Sequence, residues 1–223
     1  VRIETVARIG GSLLRAGRAP LSALLGVLAG ARTSILVVPG GGVFDDAVRA
    51  EAGRLGLGAE AAHWMAVLAM DAYGWLLADL GQGVEPVTDP ADAERVAARR
   101  RLPVLLPFAL TRARDELPHS WDVTSDSISA WVGGLCGARR LILLKDVDGV
   151  YPADPARGTG LEPFDHVDAA TAARLGAVDS YFDRAAARFL PGGECWVLNG
   201  RHPDRVITVL NGEVPRGTRV SLA

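Results

Sequence analysis

From end to end the chain repeats one pattern: a short run rich in Val, Ile and Leu, a turn, then a longer stretch whose apolar residues recur at helical spacing. The runs Ile3–Ile9, Ser34–Val38, Val84–Val87, Val104–Phe108, Leu141–Leu144, Cys195–Leu198 and Thr218–Leu222 read as strands. Helices are expected near residues 20–30, 43–56, 59–80, 90–101, 126–138, 168–175, 180–189 and 203–210. Short strands that are apolar throughout are buried on both faces, and helices between them favour parallel pairing. The expected fold class is therefore α/β, a mostly parallel sheet covered by helices on both faces. In such sheets ligands bind beyond the carboxyl ends of the strands.

With 223 residues, 49% of them hydrophobic, the chain can bury one large core as a single domain. A formal net charge of −2 offers no general attraction to nucleic acid or to anionic membranes, so neither is expected as a partner and small-molecule chemistry is the default. Cys136 and Cys195 lack CxxC spacing and support neither a disulfide framework nor a thiolate metal site. No basic and apolar leader opens the sequence, and the chain reads as cytoplasmic. The stretch Ala59–Leu80 imitates a membrane span, but Glu60, His63, Asp71 and Asp79 interrupt it, which fits a buried helix better. Its cover is either its own domain or a second copy of the protein. Arg99-Arg100-Arg101 reads as the solvated end of a helix, where cations suit the macrodipole.

Two glycine clusters, Gly10-Gly11-Ser12 and Pro39-Gly40-Gly41-Gly42, follow directly on strand-like runs. Such turns leave backbone N–H groups open to an anion with no Cβ in the way, so two of them suggest two phosphate-sized sites. Neither cluster is a common nucleotide motif. Asp45 stands where a dinucleotide fingerprint has its third glycine, and Lys145, the only lysine in the chain, does not follow a glycine-rich P-loop.

The run Asp122-Val123-Thr124-Ser125-Asp126-Ser127 precedes Ile128, Trp131, Val132 and Leu135, which line one helical face, so Thr124, Ser125 or Asp126 serves as N-cap. Two carboxylates and three hydroxyls exceed what a cap needs, and a carboxylate there can orient a cation or hold Mg²⁺ through water. At the end of the run Leu141–Leu144 stands Lys145-Asp146-Val147-Asp148-Gly149-Val150-Tyr151, then Asp154. Asp148-Gly149 marks a turn, and Lys145 and Tyr151 beside it suit a nucleotide.

In order, these motifs resemble the amino acid kinase family, which includes the acetylglutamate, uridylate and isopentenyl phosphate kinases. The resemblance rests on Ile9-Gly10-Gly11-Ser12, Pro39-Gly40-Gly41-Gly42, Thr124-Ser125-Asp126 and Asp146-Val147-Asp148-Gly149-Val150-Tyr151. It implies a three-layer αβα sandwich that moves the γ-phosphoryl of MgATP to a carboxylate, carbamate or phosphate. It further implies that Gly10, Gly11 and Ser12 meet the transferred phosphoryl and that Gly40, Gly41 and Gly42 bind the acceptor. Asp126 would order the basic groups, and Lys145, Asp146, Asp148, Gly149, Val150, Tyr151 and Asp154 would hold the nucleotide. The acceptor-binding part would span roughly residues 1–125 and the nucleotide-binding part roughly 126–223. No residue is assigned as a direct metal ligand; ATP and Mg²⁺ are the implied cofactors. Relatives commonly pair through a helix near Ala59–Leu80, which implies a homodimer.

Within the family, Ala61–Met65 with Leu68–Asp71, and Leu117–Ser127, look most like the aminomethylfuran phosphate kinases of one-carbon cofactor synthesis. The acceptor would then be a phosphate monoester, with His63, Trp121, Asp122, Thr124 and Ser125 as its walls and donors. The chain departs from the family in its cations. Arg8 stands where a lysine usually precedes the Gly-Gly pair, and no lysine follows the late glycine near Gly176, where Arg184 and Arg188 are the closest cations. Two functions follow: a kinase in which Arg8, with Lys145 or Arg184, neutralises the transferring group, or a non-catalytic descendant that binds a nucleotide or phosphorylated ligand as a sensor, storage or partner subunit.

Overall fold

The computed structural model describes residues 1–156 and 160–222. Its strands are β1 (Thr5–Ile9), β2 (Ile35–Pro39), β3 (Val84–Val87), β4 (Leu102–Leu105), β5 (Arg140–Lys145), β6 (His166–Asp168), β7 (Glu194–Asn199) and β8 (Thr218–Ser221). They form one eight-stranded sheet in the order β3-β4-β2-β1-β5-β7-β8-β6. All pairs are parallel except β7 with β8. β1 lies between β2 and β5, so the chain runs outward from it in both directions. That makes the crevice beyond Ile9, Pro39 and Lys145 the topological switch point of the sheet.

Helices α1 (Arg18–Ala29), α2 (Gly42–Leu55), α3 (Ala59–Leu80), α4 (Pro90–Ala98), α5 (Pro107–Arg114), α6 (Ser125–Cys136), α7 (Ala169–Arg174), α8 (Phe182–Phe189) and α9 (Asp204–Leu210) accompany it, with a 3₁₀ helix at Gly11–Ala16. Alternate residues of each central strand feed opposite cores. Val6, Leu36, Leu141 and Leu143 pack with α4, α6 and α8 through Val96, Trp131 and Phe182. Ala7, Ile35, Ile142 and Leu144 pack with α1 and α9 through Leu24, Leu25 and Val206. α3 serves both cores, with Val67 and Met70 in the first and Tyr73 and Leu77 in the second.

The expected strand Val104–Phe108 is displaced: β4 ends at Leu105, and Pro107 opens α5, which the sequence reading missed. Proline lacks an N–H and has a φ suited to the first helical position. The next amide, Phe108 N–H, is taken by Asp71 Oδ1 at 3.0 Å, a contact that only folding brings about. β6 was also missed; its three residues are too short to carry a period. The Arg99–Arg101 run is the exposed end of α4, as expected, and Arg99 and Arg101 also pair with Glu85 of β3.

The glycine turns after β1 and β2 lock against each other. A Cβ at Gly40 would lie 2.8 Å from Gly11 N, and one at Gly11 would collide with the Gly42 backbone. Gly11→Ala is therefore expected to destabilise the fold by about 1–3 kcal/mol, the usual scale of overpacking, read as a lower urea midpoint with an unchanged slope.

Candidate active site

At the switch point a cavity of about 340 Å³ opens above the ends of β1, β2 and β5, a size typical of small-molecule sites. Its walls include Arg8, Gly11, Ser12, Gly41, Gly42, His63, Trp121, Thr124, Ser125, Lys145 and Asp146. Residues from five separate stretches of the sequence thus meet in one place. Gly10 and Gly40 stand one layer back. Gly10 N–H donates to Leu144 O at 2.8 Å and Gly40 N–H to Ile9 O at 2.9 Å, so these amides frame the site instead of facing a ligand. Gly10 also makes room for a neighbour, since a Cβ there would lie 2.9 Å from Arg8 Nη1. Gly11, Ser12 and Gly42 open helices, where amides lack an intrahelical acceptor.

The electrostatic centre is Asp126, in the first turn of α6 and 3% exposed. Its Oδ1 lies 3.3 Å from Arg8 Nε and its Oδ2 lies 3.1 Å from Lys145 Nζ. Arg8 also donates from Nε and Nη2 to Ser125 Oγ, at 3.0 and 2.8 Å. Burial works against the Asp126 charge, but Arg8 and Lys145 outweigh it and hold the carboxyl below its ordinary range. Burial pulls the Lys145 ammonium down from its usual pKa, with Asp126 opposing it. Arg8 and Lys145 therefore form a cation pair clamped by one carboxylate. The sequence reading gave Lys145 to the nucleotide residues and also, with Arg184 as the alternative, to the transferring group beside Arg8; its ammonium stands beside Arg8 in the cavity wall.

The aromatic residues of the wall are His63 and Trp121. His63 of α3, 4% exposed, stacks on His119 with ring centroids 4.8 Å apart and meets Trp64 edge-on. Burial, and then His119, lower its pKa to about 4, so the ring is neutral at neutral pH. The guanidinium of Arg49 lies 4.0 Å above the Trp121 ring. Asp122 is not among the wall residues: it is exposed, and its Oδ1 accepts from Ser180 Oγ at 2.7 Å.

The expected nucleotide residues divide. Asp146 and Ser12 face the cavity together, joined by a 2.8 Å bond from Ser12 Oγ to Asp146 Oδ1. Asp148 is committed within the protein to Asn199, Arg205 and Arg216, at 2.9, 2.7 and 3.2 Å. Gly149 is buried against Thr218. Val150 is fully buried, its N–H donates to Thr218 Oγ1 and its carbonyl accepts from Phe164, so it offers a ligand nothing. Tyr151 is half-buried and Asp154 exposed, both outside the cavity wall. Arg184 is exposed on α8 and also outside that wall.

Sequence reasoning missed Asp179, Arg49 and His119. Asp179, on the loop after α7, accepts from Thr124 N–H at 3.0 Å, Thr124 Oγ1 at 2.8 Å, Ser127 N–H at 3.0 Å and Ser127 Oγ at 2.5 Å. Thr124 is the N-cap of α6, as anticipated among three candidates, yet its side chain makes no capping bond. The only sequence signal for Asp179 is its place just past Gly176.

Replacing Asp126 by Asn would leave Arg8 and Lys145 unpaired in a buried site. A loss of about 3–5 kcal/mol is expected from urea unfolding at pH 7, the scale for breaking a buried ion pair. The pH dependence has a definite sign. A carboxyl held low in the folded state stabilises fully above its unfolded value of about 3.9 and loses that contribution as pH falls through the folded value. Asp126→Asn should accordingly flatten the acid limb of the stability curve.

Comparison with known proteins agrees with this geometry. A sequence profile described as the Amino acid kinase family matches residues 4–199. A (5-(aminomethyl)furan-3-yl)methyl phosphate kinase of Methanocaldococcus jannaschii is 31% identical over 208 residues, 93% of each chain. A uridylate kinase structure from Archaeoglobus fulgidus superposes with a TM-score of 0.73 at 20% identity, covering 98% of this chain and 100% of that one. The T. acidophilum isopentenyl phosphate kinase product complex superposes with a TM-score of 0.64 at 18% identity, covering 98% and 100%. From its αβα architecture, from the glycine turns at the switch point of its sheet and from these matches along nearly its whole length, this chain belongs to the amino acid kinase family.

Proposed function

We propose that this protein is a kinase that uses MgATP to phosphorylate a phosphate monoester with a small aromatic, amine-bearing body, of the type named in its M. jannaschii relative. The observation that carries this reading is the clamp of Arg8 and Lys145 on Asp126, beside helix-opening glycines and in one cavity with His63 and Trp121. Two cations against one carboxylate leave positive charge for phosphate oxygens. The rings of His63, backed by His119, and of Trp121 offer flat surface for a heteroaromatic body.

Phosphoryl transfer is mainly positioning and charge neutralisation, and an acceptor that is already an anionic phosphate needs no general base. ATP supplies the activated phosphoryl, and Mg²⁺ would arrive on its phosphates. The donor set fits: Asp146, bonded to Ser12, is a carboxylate on the cavity wall suited to hydrated Mg²⁺, and the amides of Gly11, Ser12 and Gly42 suit phosphate oxygens. Arg8 and Lys145 would hold the transferring group from one side, directed by Asp126 and Ser125. Residues 1–125 would then supply most of the acceptor wall.

A coupled ADP-release assay with (5-(aminomethyl)furan-3-yl)methyl phosphate tests the reading directly. Arg8→Ala should lower kcat by ~10²–10³, the scale for losing one transition-state donor, while Arg8→Lys keeps measurable activity. Because the Lys145 pKa is lowered, kcat should fall as pH rises through a value below the ordinary 10.5 for lysine. Lys145→Arg, which stays protonated, should remove that alkaline limb. Equal rates for wild type and Arg8→Ala would overturn the assignment of the transfer cations.

We also propose that the protein works as a homodimer. Among the described residues no helix is long and apolar enough to cross a membrane. Yet α3 presents Met65, Leu68 and Trp75 outward at i, i+3 and i+10, exposed by 36%, 46% and 59%. A second copy packed on this stripe would cover them and brace the helix that carries His63. Light scattering at micromolar concentration should give twice the chain mass of 23.4 kDa, and Trp75→Glu should shift the population toward monomer.

A further inference from the structure

The resemblance to kinases assigns a role to Asp126 but none to the carboxylate that grips the same helix from outside. We propose that Asp179 is a positioning residue for phosphoryl transfer, clamping the first turn of α6 and so setting where Ser125 and Asp126 stand relative to Arg8 and Lys145. The proposal rests on the kinase reading and deepens it.

The contacts exceed those of an ordinary helix cap. A cap is usually local, with the N-cap side chain accepting from the second or third helical amide. Here the N-cap Thr124 turns its hydroxyl outward as a donor, and Asp179 does the accepting from a separate loop. One carboxylate gathers the N–H and O–H of both Thr124 and Ser127, and its Oδ1 also accepts from Tyr181 N–H at 3.2 Å. A second layer fastens the same loop: Tyr181 N–H donates to Asp122 O at 3.1 Å, and Ser180 Oγ to Asp122 Oδ1 at 2.7 Å. The gripped residues flank Ser125 and Asp126, the two that hold Arg8.

The link to the reacting centre is also electrostatic. The Asp179 backbone N–H helps to hold the Asp126 carboxyl low, and the Asp179 charge favours the protonated form of Lys145. Two carboxylates this close would repel, but their charges are matched separately. Asp126 faces Arg8 and Lys145, and Asp179 faces a set of N–H and O–H donors at a helix N-terminus. Burial and Asp126 raise the Asp179 pKa, so those donors are what keep a negative charge there tolerable. In phosphoryl transfer a displacement of about 1 Å at the cation pair costs on the order of a hundredfold in rate.

The single lysine gives a readout that needs no substrate, because protein labelled with ¹³C at lysine Cε shows one side-chain resonance, that of Lys145. In Asp179→Asn, whose fold is checked by circular dichroism, the Lys145 titration midpoint is expected to fall. With (5-(aminomethyl)furan-3-yl)methyl phosphate as acceptor, kcat should drop by about 10–100-fold while KM for MgATP stays within about threefold. A purely structural cap would lower thermal stability and leave the lysine midpoint and kcat below the melting range unchanged. Ser127→Ala removes one donor and keeps the Asp179 charge; it should reduce kcat by about threefold or more with the lysine midpoint unmoved. The proposal is overturned by a folded Asp179→Asn with unchanged midpoint and kcat or, where that variant fails to fold, by Ser127→Ala at wild-type kcat. If the wild type phosphorylates no acceptor, the kinase reading fails, and the lysine midpoint decides the role of Asp179 alone.

Discussion

One buried carboxylate holds the centre of this molecule together. Asp126 sits between Arg8 of β1 and Lys145 of β5, neighbouring strands of the sheet, and belongs to a helix packed on that sheet. Taken singly, each charge would be costly to bury; together they are viable only while all three are present and aligned. The stability of the fold and the electrostatics of the cavity are thus set by the same contacts. Arg8, 12% exposed in its side chain, and Lys145, 16%, keep just enough access to the cavity to meet an anion.

The sheet makes this arrangement possible by its topology. Parallel strands β2, β1 and β5 end at the same edge, and the turn after each must leave space for its neighbours. Glycine meets that demand at Gly11 and Gly40, where a Cβ would strike the adjacent turn, and at Gly10, where it would strike Leu144 O and the Arg8 guanidinium. The glycines thus have two distinct duties. Gly10 and Gly40 fit the turns together with their amides already bonded, while Gly11, Gly41 and Gly42 form part of the cavity surface.

The two cations of the site come from neighbouring strands, Arg8 from β1 and Lys145 from β5. Arg8 stands two residues before the glycine pair, and Lys145, at the end of β5, meets the other oxygen of Asp126. Just past Gly176, Asp179 binds the start of the helix that bears Asp126.

Strand and helix content, the parallel sheet and the glycine edge were legible in the sequence because they depend on local composition and periodicity. Arg8 and Asp126 came into view through the resemblance to the family's motifs, and the structure brings the two together. The displaced end of β4 and the start of α5 were not legible, since Asp71, far away in the chain, takes the Phe108 amide. Nor was the division of the Lys145–Tyr151 segment, in which Lys145 and Asp146 face the cavity while Asp148 and Val150 are consumed by the fold. His119 behind His63, Arg49 over Trp121 and Asp179 at the head of α6 likewise carry no local signature. By itself the sequence determined most of the strands and helices and the two glycine turns at the sheet edge, since these follow from side chains within a few positions of one another. Tertiary structure alone decided which charges meet, because a buried ion pair exists only where distant segments exclude water together.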